Sequence, residues 1–400
     1  MPISLSIFGG PPSFKNKLYV GGPNIGNREA LIARIDDMLN RRWLTNDGPF
    51  VKDLEQKVVE FIGVRHCVAM CNATVALEIA IRALGLTGEV IIPSYTFIAT
   101  AHALQWQQIT PVFADIKADT HCVDPDSVVK MITPRTTGII GVHLWGQACD
   151  VDALTEIARW RNLKLMFDAA HAFGSTYKGR MIGNNGVAEV FSFHATKFFN
   201  TMEGGAVVTN DDDLAAKMRL MRNFGFTGID AVNYIGTNGK MNEVSAAMGL
   251  TNFENLDHVL RVNRFNWESY QKGLSGIPGL KLFAISDREK CNYQYVVVEV
   301  DEDLAGLTRD ELVSVLWAEN VIARKYFWPG CHRMEPYRSL YPHAGLLLPV
   351  TERVAARVLL LPTGTTIDEP AINQICRVLK TAVSMSGEVR QAIQAERPKT

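Results

Sequence analysis

The chain has 400 residues, 47% hydrophobic and 21% charged, a composition that suits a main globular domain with a smaller second one and excludes a disordered or fibrous chain. Its 41 Lys and Arg nearly cancel its 42 Asp and Glu, so no basic surface points to nucleic acid, and a small molecule is the expected partner. The opening "MPISLSIFGGPPSFKNK" has no basic region followed by a sustained apolar run, and no other run approaches a membrane span, so a cytoplasmic protein without membrane contact is expected.

Two amphipathic helices come first, "NREALIARIDDMLNRRW" and "FVKDLEQKVVEFIGV", split by the breaker "TNDGP". "HCVAM" and "CNATVALEIAIRALGL" form a strand-to-helix junction. Strands and helices then alternate through "EVIIP", "TFIATAHALQW", "TPVFADI", "PDSVVKMI", "TTGIIGVHL", "DVDALTEIARWRN" and "LKLMFDAA". Buried strand followed by amphipathic helix predicts an α/β fold with a mostly parallel sheet. "VFSFHATKFFNTMEGGAVVTND" predicts two further short strands joined by a polar bridge.

From about residue 260 the pattern changes to a smaller α+β domain. It has a long helix in "LDHVLRVNRFNWESYQKGL", a strand in "YQYVVVEV", helices near "TRDELVSVLWAEN" and "EPAINQICRVLKTAVSM", and a polar tail, "SGEVRQAIQAERPKT", expected to fray. The expected division is residues 1–260 and 261–400. Seven scattered cysteines (Cys67, Cys71, Cys122, Cys149, Cys291, Cys331, Cys376) suit reduced thiols rather than a disulfide frame. His66, Cys67 and Cys71 in "HCVAMC" lack a second ligand cluster, so no metal site is expected.

In such sheets ligands gather at the carboxyl ends of the strands. Asn72, Ala73 and Thr74 open a helix whose first amides suit an anion, although Asn and Thr cap helices without one. "LKLMFDAAHAFGS" ends an apolar run in Asp168, with His171 three residues on. A buried carboxylate needs a cation or several donors, a turn cap being the plain alternative. "VFSFHATK" ends a strand with Ser192, His194, Thr196 and Lys197, and two glycines follow in "EGGA". A solitary loop lysine ordinarily faces solvent, but in so tight a loop the amine is partly desolvated, which lowers its pKa toward that of a nucleophile. Anion cradle, strand-end acid and loop amine together supply what pyridoxal 5'-phosphate requires: a phosphate site, a partner for its ring nitrogen and an amine for its aldehyde.

These segments, in order with "GPFVKDLE", "PSYTFIATAHAL", "PVFADI", "GVHLWGQACDVDAL", "GTNGKMNEVSAAMGL" and "FWPGCHRMEPY", resemble the DegT/DnrJ/EryC1/StrS family of nucleotide-sugar aminotransferases, within the aspartate-aminotransferase fold (fold type I). The resemblance implies pyridoxal phosphate as cofactor, L-glutamate as amino donor, a nucleotide-linked 4-keto-6-deoxyhexose aminated at carbon four, and a homodimer with shared active sites. It implies that Lys197 holds the cofactor and moves the proton, and that Asp168 keeps the ring nitrogen protonated. His171 would stand near the phenolic oxygen, Ala73, Thr74 and Ser192 would hold the phosphate, and Phe97, or second Tyr95, would stack on the ring. Asn238 would reach the phosphate of the neighbouring subunit's cofactor. In "KYFWPGCHRMEPY", Tyr326, Phe327 and Trp328 offer flat faces to a hexose or base, and His332 and Arg333 would meet a diphosphate; domain packing is the alternative role of this cluster.

Two positions depart from the family pattern: Ala73 in "NAT", where a Ser-Gly-Thr type is commoner, and Met202 in "TMEGG", where glycine is frequent. Amination at carbon three or of another cyclic ketone, and an inactive regulator binding cofactor or sugar nucleotide, are the other readings. The intact Lys197 and Asp168 argue against the last. Lys197 also argues against the dehydration chemistry of family members that carry histidine there.

Overall fold

The structure, a computed structural model, describes residues 5–396. Seven strands form the central sheet, in spatial order His66–Met70, Gly205–Thr209, Ala188–Ser192, Lys164–Asp168, Thr136–Val142, Glu89–Pro93 and Thr110–Ala114. All run parallel except Gly205–Thr209. The exception follows from the connection: helices such as Ile98–Gln105 and Val151–Arg161 join parallel strands, whereas Ser192 returns to Gly205 through a loop without a crossover helix. Strands such as Glu89–Pro93 and Gly205–Thr209 are buried along their whole length, as a sheet covered on both faces requires. Register sets Met70 and Ser192 opposite Gly205, and Val142 and Val190 opposite Asp168. One edge of the sheet thus gathers the loops that carry the candidate chemistry.

A buried carboxylate ties this domain together. Glu55, on helix Pro49–Ile62, accepts the Ala69 amide at 2.8 Å and guanidinium groups of Arg219 and Arg222 at 2.6 Å each. Glu55 and Arg222 are both buried. Glu55→Ala should therefore destabilise the fold by about 3 kcal/mol, the low end for a broken buried pair, because exposed Asp47 remains 2.9 Å from Arg222. A lower denaturant midpoint at unchanged slope is the expected reading.

The smaller body holds a three-stranded antiparallel sheet of Leu280–Leu282, Val296–Val300 and Val358–Leu361. Alternation splits its faces: Val296, Val298, Val300, Leu359 and Leu361 enter its own core, while Val297, Val358 and Leu360 pack with Ile91, Trp145 and Phe167 of the large domain. The expected boundary at residue 260 falls inside helix Leu256–Leu274.

Two expectations change. Leu5 and Ile7 belong to the small-domain core, Leu18–Tyr19 pairs in parallel with Val321–Ile322, and Glu319 accepts the amides of Ser6 and Ser13 at 2.6 Å. The small body therefore draws on both ends of the chain. The tail is also more ordered than its letters imply: Ser386–Glu396 is a helix, with Val389 wholly buried and Ala392 and Ile393 packed on the same core. These three residues fall at helical spacing in a narrow apolar stripe. Among the described residues, no helix is long and apolar enough to cross a membrane.

Candidate active site

A cavity of about 370 Å³ opens at the gathered strand ends and is bordered by Ala73, Thr74, Phe97, Asp168, His171, Ser192, Lys197, Tyr326 and Phe327. Nine residues singled out in the sequence thus meet in one place.

Asp168 ends the strand Lys164–Asp168 and is buried. Thr100 donates its hydroxyl to one carboxylate oxygen at 2.8 Å, and the Ala170 amide donates to the other at 3.1 Å. Burial raises the Asp168 pKa, and these two hydrogen bonds, followed by the charges of Lys197 and His143, oppose the rise. A cation placed against this carboxylate would complete its ionisation.

Lys197 sits in the loop between Ser192 and Gly205, where its amide donates to the His194 carbonyl at 2.8 Å and the next amide, of Phe198, donates to Gln294 Oε1 at 3.1 Å. The side chain turns inward, and Nζ donates to the Tyr295 hydroxyl at 3.1 Å. Desolvation lowers its pKa to about 8, against the pull of Asp168 and Tyr326 toward the charged form. This is the desolvated amine that the tight loop predicts.

The anion cradle is shaped by two elements. Asn72 caps helix Ala73–Ala83 by accepting the Val75 amide at 2.9 Å, and the first turn borders the cavity. Gly205 is pressed against it: a Cβ there would lie 2.6 Å from the Ala73 nitrogen. Any larger residue would push into the cradle, which accounts for the second glycine of "EGGA". Met202, the other departure, adopts a φ of 66°, the left-handed conformation that glycine takes at little cost.

His171 is buried, and burial, with the Lys197 charge second, holds its pKa well below the usual histidine range. Its Nε2 lies 3.2 Å from the Tyr295 hydroxyl, and its Nδ1 is buried without a partner among the described residues. Phe97 is 57% exposed at the mouth, where its ring is free to cover a ligand. The fit to pyridoxal phosphate is thus good on four counts: a cradle kept open by Gly205, a buried carboxylate without an ion-pair partner among the described residues, an open nitrogen on His171, and a desolvated amine.

Other expectations are redirected. Tyr95 is wholly buried and donates its hydroxyl to the Tyr326 carbonyl at 2.6 Å, so it is a core residue rather than a stacking platform. His332 does not border the cavity: Ser94 Oγ stands 2.7 Å from its Nδ1, and Glu352 Oε1 2.8 Å from its Nε2. Arg333 pairs with the same Glu352 at 2.6 Å. Both His332 nitrogens are thus engaged, while Arg333 holds an exposed ion pair. Phe327 stacks on Trp145, with centroids 5.6 Å apart and planes 9° apart, and so packs the domains together as well as lining the cavity. Asn238 is exposed and outside this chain's own cavity, at the end of a segment that also exposes Phe224, Ile229, Val232 and Ile235.

Tyr295 and Arg324 also border the cavity, and neither stands out in the sequence. Tyr295 reads as one more residue of a buried strand, and Arg324 as one of 41 cationic side chains. A polar group at the entry to a strand that packs on another domain is the sole hint for the first.

Comparison with known proteins agrees with this geometry. The model of the DegT/DnrJ/EryC1/StrS aminotransferase family matches residues 26–380. A dTDP-4-amino-4,6-dideoxy-D-glucose transaminase of Shigella dysenteriae is 37% identical, covering 91% of this chain and 98% of its own. GDP-perosamine synthase of Caulobacter vibrioides is 35% identical, covering 91% and 97%. The crystal structure of DesI in the presence of its TDP-sugar product is 49% identical, with a TM-score of 0.94 over 98% of this chain and 99% of that one. The fold is therefore fold type I, and the chain belongs to the DegT/DnrJ/EryC1/StrS family of sugar aminotransferases.

Proposed function

We propose that this protein is a pyridoxal-phosphate-dependent aminotransferase that converts a nucleotide-linked 4-keto-6-deoxyhexose to the 4-amino sugar, with L-glutamate as donor, as a cytoplasmic homodimer. The observation that carries the chemistry is a desolvated lysine amine in one cavity with a buried carboxylate and an open helix N-terminus. The named activities of the Shigella dysenteriae relative and the TDP-sugar product of DesI support the substrate class.

Bound in the cavity, pyridoxal phosphate supplies an aldehyde that captures primary amines and a ring that accepts electrons from the adjacent carbon. Ala73, Thr74 and Ser192 would hold its phosphate, Asp168 its ring nitrogen, His171 its phenolic oxygen and Phe97 its face. With its amine free, Lys197 would take a proton from the donor's carbon and deliver it toward the cofactor, and would carry one the opposite way, toward the sugar carbon, in the second half-reaction, so that one residue serves as base and acid. Tyr326, which borders the cavity, would face the sugar. The apolar residues exposed between Phe224 and Ile235 suit an interface, and Asn238 beside them would serve the neighbouring subunit's cofactor.

Incubation with glutamate and a panel of dTDP-, UDP- and GDP-linked keto sugars, followed by proton NMR of the product, tests this reading. An amine on carbon four is expected. Amination at carbon three, or no turnover of any 4-keto sugar nucleotide, would reject it.

A further inference from the structure

Three residues within the small-domain segment 292–295, Asn292, Gln294 and Tyr295, reach back to the loops that carry the reactive side chains. Buried Asn292 donates to the carbonyls of His171 and Phe173 at 2.9 and 3.0 Å, holding the loop after Asp168. Gln294 accepts the Phe198 amide at 3.1 Å, holding the loop of Lys197. Tyr295, between them in space, meets both side chains: its hydroxyl lies 3.1 Å from Lys197 Nζ and 3.2 Å from His171 Nε2.

A phenol has one proton to donate. With Lys197 donating to the oxygen, the phenol's own proton is left for His171, whose Nε2 accepts it in the tautomer whose Nδ1 carries the remaining hydrogen. That nitrogen is the one buried without a partner. Burial raises the Tyr295 pKa and depresses that of His171, so both groups stay neutral and the chain of donors runs one way: Lys197, Tyr295, His171, and on to whatever occupies the cavity.

Resting on the aminotransferase reading, we infer that Tyr295 is a positioning residue that aims the Lys197 amine and fixes His171 as the Nδ1-protonated tautomer, leaving that N–H as a donor for the bound cofactor. The alternative is an ordinary core tyrosine whose hydroxyl merely finds partners. The two differ in what loss of the hydroxyl does to Lys197. A phenol that accepts from the amine favours the protonated form, so its removal should lower the amine's pKa; a phenol that donates to the amine would favour the free base, and its removal should raise it.

Competitive acetylation of the cofactor-free full-length chain across pH, with peptide mass spectrometry of Lys197, reads this directly. We expect a midpoint near 8 in the unaltered protein and one lower by about a unit in Tyr295→Phe. In the cofactor-loaded enzyme, the same variant should lose roughly tenfold to a hundredfold in kcat with KM for the nucleotide sugar unchanged. An unchanged or raised midpoint, or a loss confined to KM, would overturn the inference. Spectra of 15N-histidine-labelled unaltered protein, with His171→Gln to assign the resonance, decide the matter even if Tyr295→Phe does not fold. Nδ1 protonation is expected, and Nε2 protonation is incompatible with the donor chain. The acetylation and the histidine spectra use no sugar substrate, so they stand or fall separately from the proposed acceptor.

Discussion

Lys197→Ala should lose turnover by at least about 10⁴-fold, the upper range for a single general acid–base group, because the same amine also holds the cofactor. A solvated lysine of pKa 10.4 presents roughly one free amine in 2,500 at pH 7, whereas a pKa of about 8 raises that to roughly one in ten. The structure supplies this gain by burial, at the cost of opposing the attraction of Asp168. The sign of the pH dependence follows. Below about 8 the free amine is protonated and cannot accept a proton, so the rate should rise with pH through that region and level off above it. Purified Lys197→Ala should keep its circular dichroism spectrum, lose the covalent cofactor absorbance, and show no such pH limb. Covalent cofactor retained in the variant would place the attachment on another lysine and dismantle the assignment.

The ease with which this centre is read from the chain has a physical basis. Asp168, Ser192 and Lys197 each end or follow a buried strand, and a parallel sheet brings such ends to one edge whatever the details of packing. Ala73 and Thr74 announce themselves through the cap at Asn72. Tyr295 lies about a hundred positions beyond Lys197, in a run of strand letters, and acquires its role through the bonds of Asn292 and Gln294 to the two loops. His332 misleads for the converse reason. In an aromatic segment it looks available, but Ser94, remote in sequence, and Glu352, beyond the segment, occupy its nitrogens. The chain's start is similar: nothing in "SLSIFGG" names Glu319 as its anchor. Local patterns reveal which residues sit at strand ends, and long-range polar partners decide which of them stay free.

Asp168→Asn isolates the electrostatic half of the site, with an expected loss of about 10²- to 10³-fold in turnover, typical for removal of one preorganised electrostatic stabiliser. The side chain keeps its shape and one oxygen to accept from Thr100 or Ala170, so the loop leading to His171 should hold. What disappears is the charge. The carboxylate is buried, its pKa raised by desolvation, and what opposes the rise is two neutral hydrogen-bond donors first and the charges of Lys197 and His143 after them. Such a group gains most from a protonated nitrogen placed against it, and the benefit is reciprocal: the same interaction raises the proton affinity of that nitrogen. An asparagine amide cannot hold a proton on the ring nitrogen, and a neutral ring is the poorer electron acceptor. The variant should therefore retain cofactor, through Lys197 and the cradle at Ala73 and Thr74, yet release the substrate proton slowly. Cofactor content by absorbance, together with single-turnover rates with glutamate alone, separates the two effects. Loss of cofactor with normal rates in the occupied fraction would assign Asp168 to binding, whereas full occupancy with slow proton release would assign it to stabilising the charge that develops on the ring.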